Sequence, residues 1–239
     1  MAKGNLASIP RGVRVYAVGD IHGRVDLLAD VLAKIDRSDA QNPNSRAIEV
    51  FLGDYIDRGP DSFTVLEQLI WRSRFRSIIF LRGNHEAIFL DFLRNPAGLT
   101  QWQRIGGRET LMSYGLRPPL NPTFKQQTEL AVALARNLPR SHRYFLETLQ
   151  SSFVCGDFFF AHAGVRPGVS LPAQQEEDLL WIREAFLEYT GDFGKIVVHG
   201  HTPVREPELR PNRINIDTGA YATGRLTCFL FEQDYIYSI

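Results

Sequence analysis

The stretch that most limits how this chain can fold is Gly53-Asp54-Tyr55-Ile56-Asp57-Arg58-Gly59. It follows an apolar run, Ala47 to Leu52, that predicts a buried strand. A glycine at each end turns the backbone sharply where the strand stops. Two carboxylates and a guanidinium are thereby held at a strand's carboxyl end, where open α/β sheets bind ligands. Two further stretches repeat the pattern. Gly19-Asp20-Ile21-His22-Gly23 follows the β-branched run Val13–Val18, and Gly83-Asn84-His85-Glu86 follows Ser77–Leu81. Three strand ends carrying metal-binding or proton-handling side chains point to one shared site.

The spacing between them predicts helices. Apolar residues at Val25, Leu27, Leu28, Val31, Leu32 and Ile35 mark one, and Ser38–Arg46 a loop. Pro60-Asp61-Ser62 opens a second, with Val65, Leu66, Leu69 and Ile70 inward. Alternating strands and helices predict parallel α/β structure. A third helix is expected over His85–Leu93, irregular structure over Pro96–Gly115, and helices over Phe124–Leu138 and His142–Leu149. Residues 94–150 read as a helical insertion beside the site, within one domain spanning 1–239. The second half is richer in strands. Phe153–Cys155 and Phe158–Phe160 flank Gly156-Asp157, a single helix is expected over Gln174–Tyr189, and Leu226–Phe231 with Tyr235–Ile239 reads as a closing hairpin. These later strands predict a second sheet packed on the first. The fold class expected is α/β: two mixed sheets flanked by helices.

Charge is balanced, with 27 basic and 27 acidic residues, so bulk electrostatics gives no reason to expect stable nucleic-acid or membrane binding. No apolar run reaches a membrane span, and Met1–Arg11 lacks a signal-peptide core. Two cysteines, Cys155 and Cys228, form no disulfide framework, although they could pair. A reducing cytoplasm is the expected compartment. Of six histidines, His22, His85, His162, His199 and His201 lie next to a glycine, or one residue from it, at predicted strand ends; only His142 is in helical context, where a surface or core role is expected. With Asp20, Asp54 and Asn84 they form an oxygen and nitrogen donor set suited to Mn²⁺, Fe or Zn²⁺.

In order and spacing, the three motifs resemble those of calcineurin-like metallophosphoesterases. His162-Ala163-Gly164, Leu180-Trp181-Ile182-Arg183 and Gly200-His201-Thr202-Pro203 narrow the resemblance to the phosphoprotein phosphatase branch, its small bacterial members and bacteriophage lambda phosphatase. That resemblance implies two divalent ions, Mn²⁺ by family habit, roughly 3.5–4 Å apart. Asp20, His22 and Asp54 would hold the first, and Asp54, Asn84, His162 and His201 the second. A hydroxide bridging them would attack phosphorus directly, without a phosphoenzyme. His85 would be the general acid, worth roughly 10²–10⁴-fold, with Asp57 orienting it. Arg58, Arg183 and Asn84 would bind the substrate phosphate. By periodicity alone Arg183 reads equally as a solvated helix residue.

His199 points to the same side of its strand as His201 and could ligate, but a structural role or one steadying the site is expected. Asp217 could support the site or make a tight turn. Glu86 is expected to stabilise a loop rather than to ligate. Gly200-His201-Thr202-Pro203 lacks the second histidine of Gly-His-x-His, and Asp217-Thr218-Gly219-Ala220 stands where eukaryotic protein phosphatases have Ser-Ala-Pro-Asn-Tyr. The implied activity is phosphomonoester hydrolysis, foremost on phosphoserine or phosphothreonine in proteins. Symmetrical dinucleoside tetraphosphatases and RNA 5′-end hydrolases are the alternatives, though their first motif usually has Gln where this chain has His22. A phospho-ligand-binding protein without turnover is a third reading, opposed by the intact His85, Asp57 and donor set. Specificity is expected in 94–150 and Val165–Gln175. Trp102, Phe124 or Tyr144 could stack on a base or an aromatic leaving group, but core packing is the expected fate of each.

Overall fold

The computed structural model describes residues 7–239. The expectation for Met1–Arg11 falls in part on residues 1–6, outside that range. Strand β1 (Val13–Val18) leads to α1 (Val25–Ala40), β2 (Arg46–Phe51), α2 (Ser62–Arg72) and β3 (Ile78–Phe80). Helix α3 (Asn84–Phe92) opens the helical run α4 (Leu99–Arg104), α5 (Gly107–Ser113), α6 (Phe124–Asn137) and α7 (Arg140–Glu147). Then come β4 (Ser152–Cys155), β5 (Phe158–Ala161), α8 (Glu176–Trp181), α9 (Glu184–Leu187) and β6 (Ile196–His199). The chain closes with β7 (Glu208–Leu209), β8 (Arg213–Asn215), α10 (Ala220–Thr223), β9 (Cys228–Glu232) and β10 (Tyr235–Ser238).

The strands form two five-stranded mixed sheets, β10-β9-β1-β2-β3 and β4-β5-β6-β8-β7. β1, β2 and β3 run parallel, while β9 is antiparallel to β1. Period-two alternation sets the layers. Val15, Ala17, Val50 and Leu52 face the second sheet and pack with Phe158, Phe160, Val198 and Ile214. Tyr16, Val18 and Phe51 face the other way, against Leu28, Val31 and Val65 of α1 and α2. Helices α8 and α9 cover the second sheet's outer face through Leu179 and Phe186. Both faces of each sheet are thus largely covered, which is why inner strands such as β5, β6 and β9 read as nearly continuous apolar runs. Each fully buried side chain of this size contributes about 1.5–3 kcal/mol.

Four expectations are corrected. The closing hairpin joins the first sheet, because β9 pairs with β1 across Val15 and Phe231. Helix α1 runs to Ala40, three residues into the stretch read as a loop, where Arg14 and Tyr16 bond Ser38 at 3.0 and 3.1 Å; residues 41–45 are loop as expected. The stretch read as irregular contains α4 and α5. The single helix over Gln174–Tyr189 is broken at Ile182 and Arg183, where the backbone leaves helical geometry. Ile182 and Phe186, on either side of the break, belong to one apolar cluster. Cys155 and Cys228 are unpaired. Among the described residues, no helix is long and apolar enough to cross a membrane.

Candidate metal centre

The three strand ends converge. Strands β1 and β2 are parallel neighbours, so their loops leave the sheet side by side; Ile21 and His22 both donate backbone N–H bonds to the Asp54 carbonyl, at 3.0 and 2.8 Å. The loop after β3 lies against the same turn. A Cβ on Gly53, whose φ is +104°, would stand 2.5 Å from the Gly83 nitrogen, so only glycine permits this approach.

Asp54 sits at the middle. Its Oδ2 lies 3.5 Å from His22 Nε2 and 3.8 Å from His85 Nε2, and its Oδ1 lies 3.4 Å from His162 Nε2. Two groups of donor atoms share it: His22, Asp54 and His85, and Asp54, His162 and His201, with the atoms of each group within 4.8 Å of one another. Asn84 Oδ1 adds to the second, 2.9 Å from His162 Nε2 and 2.8 Å from His201 Nδ1. Asp20 belongs to neither trio. Its Oδ2 accepts the His201 backbone N–H at 3.0 Å, while its buried Oδ1 has no partner.

These atoms are prepared for a cation. The Nδ1–H of His22 is given to the Ile56 carbonyl and that of His162 to the Leu52 carbonyl, both at 2.9 Å, which turns each Nε2 lone pair inward. Burial keeps the imidazoles neutral: it lowers His22 to about 3, His201 to about 2, and His162 also lies below its ordinary value. Burial would raise Asp54, but the surrounding His162, His85, His22 and His201 outweigh it and hold the carboxylate below its usual range. Lone pairs on His162 Nε2 and Asn84 Oδ1 therefore face each other, and Asp20 Oδ1 and His201 Nε2 stand buried without a partner. Such a donor set fits divalent ions and is expensive without them.

His85 differs from the other imidazoles. Burial would lower it, but Asp54 and Asp57 outweigh that and raise it. Its Nδ1 lies 2.7 Å from Asp57 Oδ2, and its Nε2 is directed at Asp54. Arg58 lies beside it, with Nη2 3.4 Å from His85 Nε2 and its guanidinium 4.5 Å from the Tyr221 ring centre. Arg183 stands at the break between α8 and α9, exposed, and donates to Thr202 Oγ1 at 3.1 Å. Its positive charge is felt by His162 and His201.

Glu86 stabilises the loop as expected, accepting the backbone N–H groups of Asp54, Tyr55 and Gly83 at 2.8–2.9 Å. His199 is buried edge-on to Phe186 and lies outside both donor groups. Asp217 makes the turn, accepting from Gly219 N–H at 2.8 Å, and burial beside Asp54 raises it to about 6. His142 is buried between Tyr114 and Glu67. Trp102 is in the core, but its indole N–H also reaches Asp57. Phe124 and Tyr144 are exposed, against expectation: Phe124 begins α6, and α7 buries His142, Phe145 and Leu146, a face that excludes Tyr144. Thr110 and Tyr221 gave no sequence signal; the only hint was the Gly106-Gly107 pair, which lets α5 close on the loop.

The backbone carries a further mark. His22, Asp54, Asp57, Arg58 and His201 all have positive φ, between 47° and 71°. Non-glycine residues enter this region uncommonly, and such strain clusters at functional sites.

A sandwich of two mixed sheets with paired histidine–carboxylate groups at its loop edge defines a metallophosphoesterase. The chain belongs to the calcineurin-like phosphoesterase family, whose model matches residues 13–236. It is 34% identical over 220 residues to serine/threonine-protein phosphatase 1 of Salmonella typhimurium, covering 89% of each chain. It is 27% identical over 237 residues to an asymmetrical bis(5′-nucleosyl)-tetraphosphatase of Anoxybacillus flavithermus, covering 90% of this chain and 89% of the relative. Its fold matches a cold-active protein-tyrosine phosphatase of a Shewanella species, with a TM-score of 0.56 at 15% identity over 99% of this chain and 84% of the other. The protein is a phosphoester hydrolase of this family.

Proposed function

We propose that the whole chain acts as a single-domain phosphomonoesterase on phosphoserine and phosphothreonine in proteins. The carrying observation is the buried Asp57–His85 pair, 2.7 Å apart, with His85 Nε2 directed into the donor cluster. Asp20, His22 and Asp54 would hold one divalent ion, and Asp54, Asn84, His162 and His201 a second, Mn²⁺ by donor type, with Fe or Zn²⁺ also suited. When bound, the ions supply Lewis-acid charge and lower the pKa of water.

The rest of the chemistry belongs to side chains. Arg58 and Arg183 grip phosphoryl oxygens from two sides, a task suited to planar guanidinium forks, and Asn84 adds an amide contact. His85, doubly protonated, gives its Nε2 proton to the departing serine or threonine oxygen while Asp57 keeps the Nδ1–H. Its raised basicity fits that duty. The unpaired cysteines are compatible with the reducing cytoplasm expected from sequence.

The 34% identical protein phosphatase supports this substrate class. A second reading, hydrolysis of dinucleoside tetraphosphates, is favoured by the names of several relatives at 24–28% identity. A panel assay separates them. Metal-stripped protein receives Mn²⁺, Mg²⁺, Zn²⁺ or no metal, then a phosphothreonine peptide or diadenosine tetraphosphate, with Asp54→Asn as control. Metal-dependent release of phosphate from the peptide at the higher kcat/KM is expected. Faster cleavage of diadenosine tetraphosphate would replace the first reading with the second.

A further inference from the structure

The carboxylate of Asp57 is fully buried and receives three side-chain donors. Its Oδ2 accepts from His85 Nδ1–H at 2.7 Å and from the Trp102 indole N–H at 2.8 Å, and its Oδ1 accepts from the Thr110 hydroxyl at 2.5 Å. Thr110 Oγ1 in turn lies 2.9 Å from the Asp57 backbone nitrogen and 2.9 Å from Ser62 Oγ. With its own proton given to Asp57, Thr110 accepts from both, so the hydroxyl is fully used. Trp102 and Thr110 are both buried, and they come from α4 and α5, not from the strand-end motifs. The turn between those helices also holds the next residue: Arg58 N–H donates to the Gly106 carbonyl at 3.1 Å.

We propose that Trp102 and Thr110 are positioning residues for proton donation by His85. A carboxylate bonded only to His85 could rotate about its last torsion. Trp102 on one oxygen and Thr110 on the other remove that freedom, so the imidazole they orient keeps its Nε2 facing the reacting phosphate. When the P–O bond breaks, its electron pair goes to the leaving oxygen. That oxygen takes the Nε2 proton of His85, which ends neutral, and a water-derived oxygen remains on phosphorus. Asp57 accepts no proton. The helical insertion thereby contributes to chemistry as well as to shape. This rests on the reading of His85 as the proton donor.

The test uses leaving groups that differ in their need for that proton. The Mn²⁺-loaded full chain is assayed with phenyl phosphate, whose phenoxide needs protonation, and with 2,4-dinitrophenyl phosphate, whose leaving group does not. Thr110→Val and Trp102→Phe are expected to lower kcat on phenyl phosphate roughly 10- to 100-fold, the usual effect of removing a partner that orients a reacting group. On the dinitrophenyl ester the loss should stay within roughly threefold, with KM little changed on both. Thr110→Ser should restore the phenyl phosphate rate. In the Zn²⁺-loaded chain, the hydrogen-bonded imidazole proton signal that His85→Asn removes should exchange faster in Thr110→Val. Equal losses on both esters, or a change in KM alone, would overturn the proposal. If His85→Asn shows the leaving-group split and the Trp102 and Thr110 variants do not, the positioning role fails alone. If His85→Asn shows no split, the donor reading fails and takes this proposal with it.

Discussion

The side chain of Glu86 is bonded to the backbone of Asp54: Oε2 accepts the Asp54 N–H at 2.9 Å. The same oxygen accepts Gly83 N–H at 2.9 Å, and Oε1 accepts Tyr55 N–H at 2.8 Å. One buried carboxylate on the first turn of α3 therefore fixes the loop after β2 to the loop after β3. Asp54 faces both donor groups because its own main chain is held from behind.

Replacing Glu86 by Gln tests this tie. A carboxamide offers one acceptor oxygen and turns an NH₂ group against backbone donors. Leaving one such group unsatisfied costs about 1–3 kcal/mol. The variant should unfold at correspondingly lower urea, and its kcat should fall as Asp54 loses its fixed position. Unchanged stability and turnover would show that the loops are held by other contacts.

Gly106 supports Arg58. Its φ is +111°, and a Cβ there would collide with the backbone nitrogen and Cγ of Arg58. Gly106→Ala should displace the guanidinium and weaken the phosphate contact proposed for it. Loss of one hydrogen bond to a charged group is worth about 1.5–3 kcal/mol, so KM should rise roughly tenfold or more. Steady-state kinetics reads this directly, and a normal KM would remove Arg58 from substrate binding.

Acid should destabilise the protein in part through His142. Burial lowers this imidazole below 6.5, although its bond to Glu67 opposes the change. Below the unfolded value the unfolded chain takes up a proton that the folded chain refuses. The stabilising contribution is therefore full above about pH 6.5 and is lost as pH falls toward the folded value, at up to about 1.4 kcal/mol per pH unit. Urea midpoints between pH 7.5 and 5 should fall more steeply in the wild type than in His142→Gln. Parallel slopes would assign the acid sensitivity to other groups.

Removing metal should lower the melting temperature, because the inward lone pairs lose their common partner. A ligand bound only by the folded state adds about 2.7 kcal/mol at a hundredfold excess over Kd. Mn²⁺ should restore the melting temperature of the stripped chain, and Asp54→Asn should abolish most of that response. His85→Asn should keep it while losing turnover. If His85→Asn instead loses the Mn²⁺ response, His85 is a ligand, as its place in the trio with His22 and Asp54 allows.

Much of this was legible in sequence because each motif is local. Asp20 and His22, Asp54 and Asp57, and Asn84 and His85 each lie within one strand-to-loop turn, and a parallel sheet brings such turns together. Trp102, Thr110 and Tyr221 were not legible as site residues. They arrive from helices far along the chain, and an indole or a threonine in a helix has no spacing that distinguishes a bond to Asp57 from core packing. The place of β9 was hidden for a related reason. Its local pattern says strand, but pairing with β1 depends on where the second sheet returns the chain. Tyr144 shows the limit of counting aromatics: its helix buries the neighbouring face, and the tyrosine is left outside.

The left-handed backbone at His22, Asp54, Asp57, Arg58 and His201 bears on transplantation. A designer who copied only these side chains onto ordinary strand ends would aim them elsewhere, since the direction of each Cα–Cβ bond is set by φ and ψ. Each position disfavours the residue it carries by about 1–3 kcal/mol, so a recipient scaffold must supply surplus rigidity before it can host the chemistry. The portable unit is therefore the set of loops together with Glu86, Thr110 and Trp102 that fasten them. Conversely, a variant allowed to abandon turnover should drift toward glycine or asparagine at these five positions and become the sturdier protein.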